Sequence, residues 1–186
     1  MKRMLLLIFL ITAVPAFSQP VNENSFYSLR ITSTHTAFPD TARINGHLYD
    51  SVLYGAKDHY SDSSVIIIIP RNFKPTKTVD MVFWFHGWFN NIDSAAKRFQ
   101  LIEQFIASNR NAILVIPETT KDAPDSYGGK LEQPNMFKGL VNDVLVKLKK
   151  EKYISKKCKA GSIMLAGHSG AYRVIAYILQ YGGLPV

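Results

Sequence analysis

Cysteine is nearly absent from this chain. Its one thiol, Cys158, excludes an intrachain disulfide, so the fold has to rest on packing and hydrogen bonding. With Lys156, Lys157 and Lys159 around it, Cys158 reads as an incidental surface thiol rather than a reactive one. The five histidines, His35, His47, His59, His86 and His168, show neither His-Glu-x-x-His nor paired-cysteine spacing, which argues against a metal site. No Gly-rich loop ending in Lys-Ser or Lys-Thr is there to cradle a phosphate. Repeats, low-complexity linkers and an uninterrupted apolar run of about 20 residues, the length that spans a bilayer, are missing as well. These absences imply no cofactor and exclude solenoids, zinc-stapled modules and P-loop nucleotide chemistry.

What is present fits one globular domain: 186 residues, 47% hydrophobic and 19% charged. The first residues stand apart. Lys2 and Arg3 precede the apolar run 4–14, Pro15 interrupts it, and Ala16-Phe17-Ser18 offers small residues three before and one before a cleavage site. This is the pattern of a secretory signal peptide over 1–18. It predicts a domain in 19–186 that is secreted or periplasmic and has no stable membrane anchor. Loss of Lys2 and Arg3 lowers the formal charge from +8 to +6. A basic face of that size attracts anionic polymers, yet the lysines cluster where helix ends favour them and no nucleic-acid motif accompanies them. No nucleic-acid partner is expected, and the oligomeric state stays open.

Periodicity supplies the organisation. Residues 26–34 alternate, Phe26, Ser28 and Arg30 against Tyr27, Leu29 and Ile31, and suit an early antiparallel strand. Residues 37–62 are polar and turn-rich, with weak strand character at 47–53 and no legible function. Short apolar runs at 65–69, 79–85, 112–116 and 162–166 read as strands hidden on both faces, in a core that begins at about residue 65. Between them, 94–107 predicts one amphipathic helix with Phe99, Ile102, Phe105 and Ile106 on one side and Asp93 as N-cap. A clearer helix carries Phe137, Leu140, Val141, Val144, Leu145 and Leu148 on one face, with Lys147, Lys149 and Lys150 in its last turn. The alternation predicts an α/β fold, a mainly parallel sheet with helices on both faces. The connection 117–135 is longer than a scaffold loop requires. It leaves the carboxyl end of a strand, where open sheets bind ligands, and is expected to wall a substrate pocket.

The chemistry sits at two strand ends. The strand at 162–166 runs into Gly167-His168-Ser169-Gly170-Ala171, and a helix with Val174, Ile175, Ile178 and Leu179 follows. A serine at the tip of such a turn is strained, and small residues two before and two after it keep strand and helix from colliding. Gly167 and Ala171 meet that need, Ala171 in place of the commoner glycine. Upstream, the strand Val82-Phe83-Trp84-Phe85 ends in His86-Gly87 and an open loop. Together these motifs resemble the α/β-hydrolase superfamily, esterase- and lipase-like serine hydrolases, over roughly 65–183. The resemblance implies Ser169 as nucleophile and the backbone N–H groups of Trp88 and Gly170 as an oxyanion hole, each donor worth about 3 kcal/mol to a tetrahedral intermediate. The implied substrate is a small-molecule or polymer ester, or an amide. His86 is expected to orient the loop and His168 to face away from the serine. Asn90 and Asn91 serve either substrate or loop, and Trp84, Trp88 and Phe89 read as core and pocket lining.

The same resemblance implies a triad in the order Ser, Asp or Glu, His. Residues 170–186 contain none of these acids and no histidine. The expectation is therefore a C-terminally truncated hydrolase, inactive or weak in this form, with the triad acid and base outside the chain. A non-catalytic secreted binding protein on the same scaffold, or a site completed by another chain, are the alternatives. The strand holding Met164 and Leu165 would then be an open edge, with 184–186 approaching a further strand.

Overall fold

Apolar β-rich runs become strands and the periodic segments between them become helices. The computed structural model describes residues 23–184. The expected leader lies outside them, as does nearly all of the expected strand approach at 184–186. In chain order the elements are β1 (Phe26–Thr32), β2 (His47–Tyr49), β3 (Val52–Tyr54), α1 (Ala56–His59), β4 (Ser64–Pro70), β5 (Thr78–Phe85), α2 (Ile92–Arg98), α3 (Leu101–Ala107), β6 (Ala112–Pro117), α4 (Met136–Lys150), β7 (Lys159–Gly167) and α5 (Tyr172–Tyr181). Among the described residues no helix is long and apolar enough to cross a membrane.

Five strands make one sheet in the order β1-β4-β6-β5-β7, and β2 pairs with β3 as a separate hairpin. Strands β6, β5 and β7 are parallel, whereas β4 is antiparallel to both β1 and β6. The sheet is thus mixed, with β4 alone reversed. The reason is the link 71–77, which carries no helix and so cannot return the chain in the same direction.

Side chains alternate between two cores with the period of a strand. Val65, Ile67 and Ile69, Met81, Phe83 and Phe85, and Ile113 and Val115 face the larger core, capped by α4 and α5 through Phe137, Leu140, Val144, Val174 and Ile178. Ile66, Ile68, Leu114 and Ile116 face the other, covered by α2 and α3 through Ile92, Ala96, Ile102 and Phe105. Helices therefore lie on both faces. The α4 face matches its sequence pattern residue for residue, and Lys147 in its last turn pairs with Glu151 at 2.8 Å.

Several expectations need correction. The segment 94–107 is two helices, because Gln100 adopts a left-handed conformation (φ 48°) after Phe99 closes α2. The N-cap is Asn91, whose side chain accepts the Ser94 N–H, while Asp93 sits in the first turn and pairs with Arg30. Strand β7 is not hidden on both faces, with Met164 62% exposed, although its place at the end of the sheet is the open edge expected for it. Leu179 is exposed, since α5 turns Val174, Ile178 and, in part, Ile175 to the core. Cys158 is buried, not a surface thiol, with its Sγ against the Lys159 carbonyl.

Candidate active site

Helices α2 and α4 leave the carboxyl ends of β5 and β6 on opposite faces, and α5 leaves β7 on the α4 face. A crevice between the β5 and β7 ends follows from that divergence, the usual place for a ligand in an open sheet. The two ends are tied by pairing of Phe85 with Gly167 and by the His168 N–H bonding to the Phe85 carbonyl at 3.1 Å. Both sequence motifs therefore meet at one spot.

At the tip, Ser169 holds φ at 53°, a conformation that costs a non-glycine residue on the order of 1–3 kcal/mol. The small neighbours are required by contact. A Cβ on Gly167 would lie 2.8 Å from the Ala171 Cβ and 3.0 Å from the Phe85 carbonyl oxygen. One on Gly87 would meet the His168 carbonyl oxygen at 2.7 Å and the Ser169 Cβ at 2.9 Å. The Gly87–Trp88 backbone thus lies directly against the elbow. The Trp88 indole also closes on Gly170, where a Cβ would meet it at 2.8 Å. Ser169, Gly170, Gly167, Ala171 and Trp88 are all brought together at this turn.

Ser169 is exposed, and no side-chain hydrogen bond joins it to another described residue. His168 turns away from it, its ring 4.7 Å from that of Phe99, at the rim of an open groove of 440 Å³ lined by Trp84, Arg98, Leu101 and Gln104.

His86 is fully enclosed. Its Nδ1 lies 2.8 Å from the Gly87 carbonyl oxygen and must donate to it. Its Nε2 lies 2.5 Å from Glu118 Oε1, so a proton sits between imidazole and carboxyl. The Thr119 hydroxyl is 3.0 Å from the same nitrogen. Glu118 also accepts the Ile92 and Thr119 N–H groups, each at 3.2 Å. The Gly87 carbonyl and the Trp88 N–H belong to one planar trans peptide and point in opposite directions. By holding that carbonyl, His86 aims the Trp88 N–H away from the core. None of the backbone hydrogen bonds of the described loops uses that N–H.

The long connection 117–135 abuts the elbow and shapes its wall. Trp88 Nε1 donates to Ser126 Oγ at 2.7 Å, and the Phe89 N–H bonds the Ala123 carbonyl at 3.1 Å. Asn91 caps α2 and donates to Asp122 at 2.9 Å, so it supports the loop. Two ion pairs clamp the loop: Arg43 to Asp125 at 2.7 Å, and Arg173 to both oxygens of Glu132 at 2.7 and 2.9 Å. Burial pushes the Asp125 carboxyl up, but the Arg43 hydrogen bond and the Tyr127 N–H outweigh it, leaving it below the ordinary carboxylate value. Burial, and next the bond from its hydroxyl to Asp40, push Tyr127 up to about 12. Trp88 and Phe89 are exposed instead of core-lining.

Sequence reasoning missed Glu118, Arg43, Asp125, Glu132 and Arg173. For Glu118 a signal existed: an acid immediately after the buried strand 112–117 needs a buried partner. Arg43 sits in a segment without periodicity and offered none. Among the described residues no cluster of three or more His, Cys, Asp or Glu side chains is arranged to hold a metal ion. Compared with protein-family models and with curated proteins, the chain matches neither a family nor an individual protein.

Proposed function

We propose that the chain is a secreted serine hydrolase of the α/β-hydrolase fold in which Ser169 attacks an ester or amide carbonyl. The observation that carries this reading is the left-handed Ser169 at an exposed strand–turn–helix tip, with the Gly87–Trp88 backbone pressed against it. The crevice between diverging helices and the aim of the Trp88 peptide support it. In this reading Ser169 Oγ bonds the carbonyl carbon and its proton passes to a base. The carbonyl oxygen becomes an alkoxide held by the N–H groups of Gly170 and Trp88. Collapse expels the alcohol or amine, and water then hydrolyses the acyl-enzyme.

The base is the open position. With no described side chain hydrogen-bonded to Ser169, the reading assigns the triad's acid and base to residues outside these 186. An oxyanion hole without its base leaves about 10³ to 10⁴-fold acceleration over water in triad-deleted proteases, so the chain by itself is a weak hydrolase. The missing base also favours a second reading, a binding protein that keeps the scaffold without chemistry.

A fluorophosphonate probe separates the two. The hydrolase reading expects slow covalent labelling at Ser169, lost in Ser169→Ala. Labelling that survives Ser169→Ala, or that maps to Ser126 or Ser162, overturns the assignment. Complete inertness supports the binding scaffold.

A further inference from the structure

Unpaired cations collect at the end of the sheet opposite Ser169. In the order β4-β6-β5-β7 each successive strand brings one to that end: Arg71 directly after β4, Arg110 two residues before β6, Lys77 directly before β5 and Lys159 as the first residue of β7. Pairing sets the four ends side by side, since Ile68 lies opposite Leu114, Asp80 opposite Ala112 and Thr78 opposite Lys159. The links are also tied directly, by the Lys74 N–H to Asn111 Oδ1 at 2.8 Å and the Lys159 N–H to the Lys77 carbonyl at 3.1 Å. At about 4.8 Å between neighbouring strands, the row is about 15 Å long. A second bank flanks it on the α4 side, with Lys149 and Lys150 ending the helix and Lys152, Lys156 and Lys157 in the turn to β7. Tyr153 of that turn packs on Tyr27 of β1 with 5.2 Å between ring centres, and the Arg71 guanidinium covers the Tyr27 ring at 3.7 Å, which joins the bank to the row.

Helix-end preference explains only Lys149 and Lys150 in this arrangement. None of the cations in the row or the bank forms an ion pair among the described residues. The acids at this end are Glu23, Asp80, whose carboxylate accepts the Ser162 N–H at 2.8 Å, and Glu151, which Lys147 holds at 2.8 Å. Like charges gathered this way repel one another, and an anion from outside relieves the repulsion. A file of charges, one per strand end, fits a linear polyanion lying across those ends. Nucleic acid adds bases that need aromatic faces to stack on, and the exposed Tyr27 ring is already covered. A bilayer seat adds apolar side chains beside the cations, and of the large exposed apolar residues only Tyr27 and Val146 lie near. A chain of acidic sugars needs neither. We propose that this pole is a docking surface for a linear acidic polysaccharide, whose carboxylates or sulfates meet the row. Bound there, the protein holds Ser169 about 30 Å from the polymer, at the far end of β7. This surface is independent of the hydrolase reading.

The test is retention of residues 19–186, which contain the whole described fold, on immobilised polygalacturonate. The protein binds at low salt and elutes as salt shortens the reach of each charge, and immobilised dextran, an uncharged polysaccharide, does not hold it. Lys77→Gln, Arg110→Gln and Lys159→Gln together weaken binding about tenfold. Lys57→Gln, Lys97→Gln and Lys138→Gln, which remove the same charge from other exposed sites, change it less than about twofold. A second triple in the bank, Lys150→Gln, Lys156→Gln and Lys157→Gln, weakens binding as the first does, so the result does not hang on the folding of one variant, which thermal unfolding reports. Failure of the parent chain to bind overturns the proposal, and so does an equal loss in the control triple, which traces the effect to net charge alone. Tighter binding at the same salt to phosphatidylglycerol vesicles, or to single-stranded RNA, overturns the polysaccharide as partner. Binding involves no reaction at Ser169, so its failure leaves the labelling experiment standing, and the reverse.

Discussion

The two flanks of the β5 carboxyl end are built in opposite ways. Toward β6, His86, Glu118, Thr119 and Thr120 are all buried, and every polar atom at the His86–Glu118 junction has a partner. Toward β7, Gly167, His168 and Ser169 are exposed, and the strand that leads to them has no buried residue. One flank is sealed and the other open to solvent. The contrast teaches how a backbone N–H can be held still beside an exposed serine: the aim of the Gly87–Trp88 peptide is set from the sealed side, by His86 on the Gly87 carbonyl.

The largest expected effect probes the seal. His86→Ala leaves Glu118 buried without its partner and should cost about 3–5 kcal/mol in urea unfolding; a loss below 1 kcal/mol would show the β6 flank is not closed. Next, Ile113→Ala in β6, where the side chain is wholly buried, should cost about 2–4 kcal/mol by the same measurement. Gly87→Ala tests the meeting of the flanks. Its Cβ would collide with backbone and Cβ atoms of the elbow, so about 1–3 kcal/mol of stability and most fluorophosphonate labelling should be lost together. Stability lost with labelling kept would mean the Gly87–Trp88 loop does not serve Ser169.

Acid should loosen the wall before the core. The folded Asp125 carboxyl titrates below its ordinary value, so the stability it contributes is present above about pH 4 and is lost as pH falls through the folded value. Hydrogen exchange at the Tyr127 N–H, which bonds Asp125 at 2.8 Å, should speed up below that point. Asp125→Asn should remove the pH dependence. The smallest effect belongs to the open flank: Met164→Ala in β7 should change stability by less than about 0.5 kcal/mol, and a loss like that of Ile113→Ala would mean β7 is covered after all.

Apolar runs made β4, β5, β6 and β7 legible, because a strand buried by its neighbours must be apolar throughout. For β7 the same signal overstated burial, since the run Ser162-Ile163-Met164-Leu165-Ala166 looks hidden on both faces, whereas the strand is the open edge that the triad pattern led us to expect. The elbow was legible because its small residues follow from a clash only four residues long. Glu118, Arg43 and Arg173 were not, as each finds its partner 32 to 82 positions away. The split of α2 from α3 escaped too, because Phe99 fits a helical stripe and its ring is drawn instead to Trp84 and His168.

By itself the sequence determined where the core strands β4 to β7 and the helix α4 lie, which face of α4 is buried, and that Ser169 occupies a strained turn between small residues, because each of these is a contest among neighbours in the chain. The tertiary structure alone decided that β4 runs backward and that His86 takes Glu118 as its partner. It also decided that the β2–β3 hairpin stands beside Trp88. Such pairings depend on closing long loops around a common core, and no local pattern of residues records which distant group will be waiting when they close.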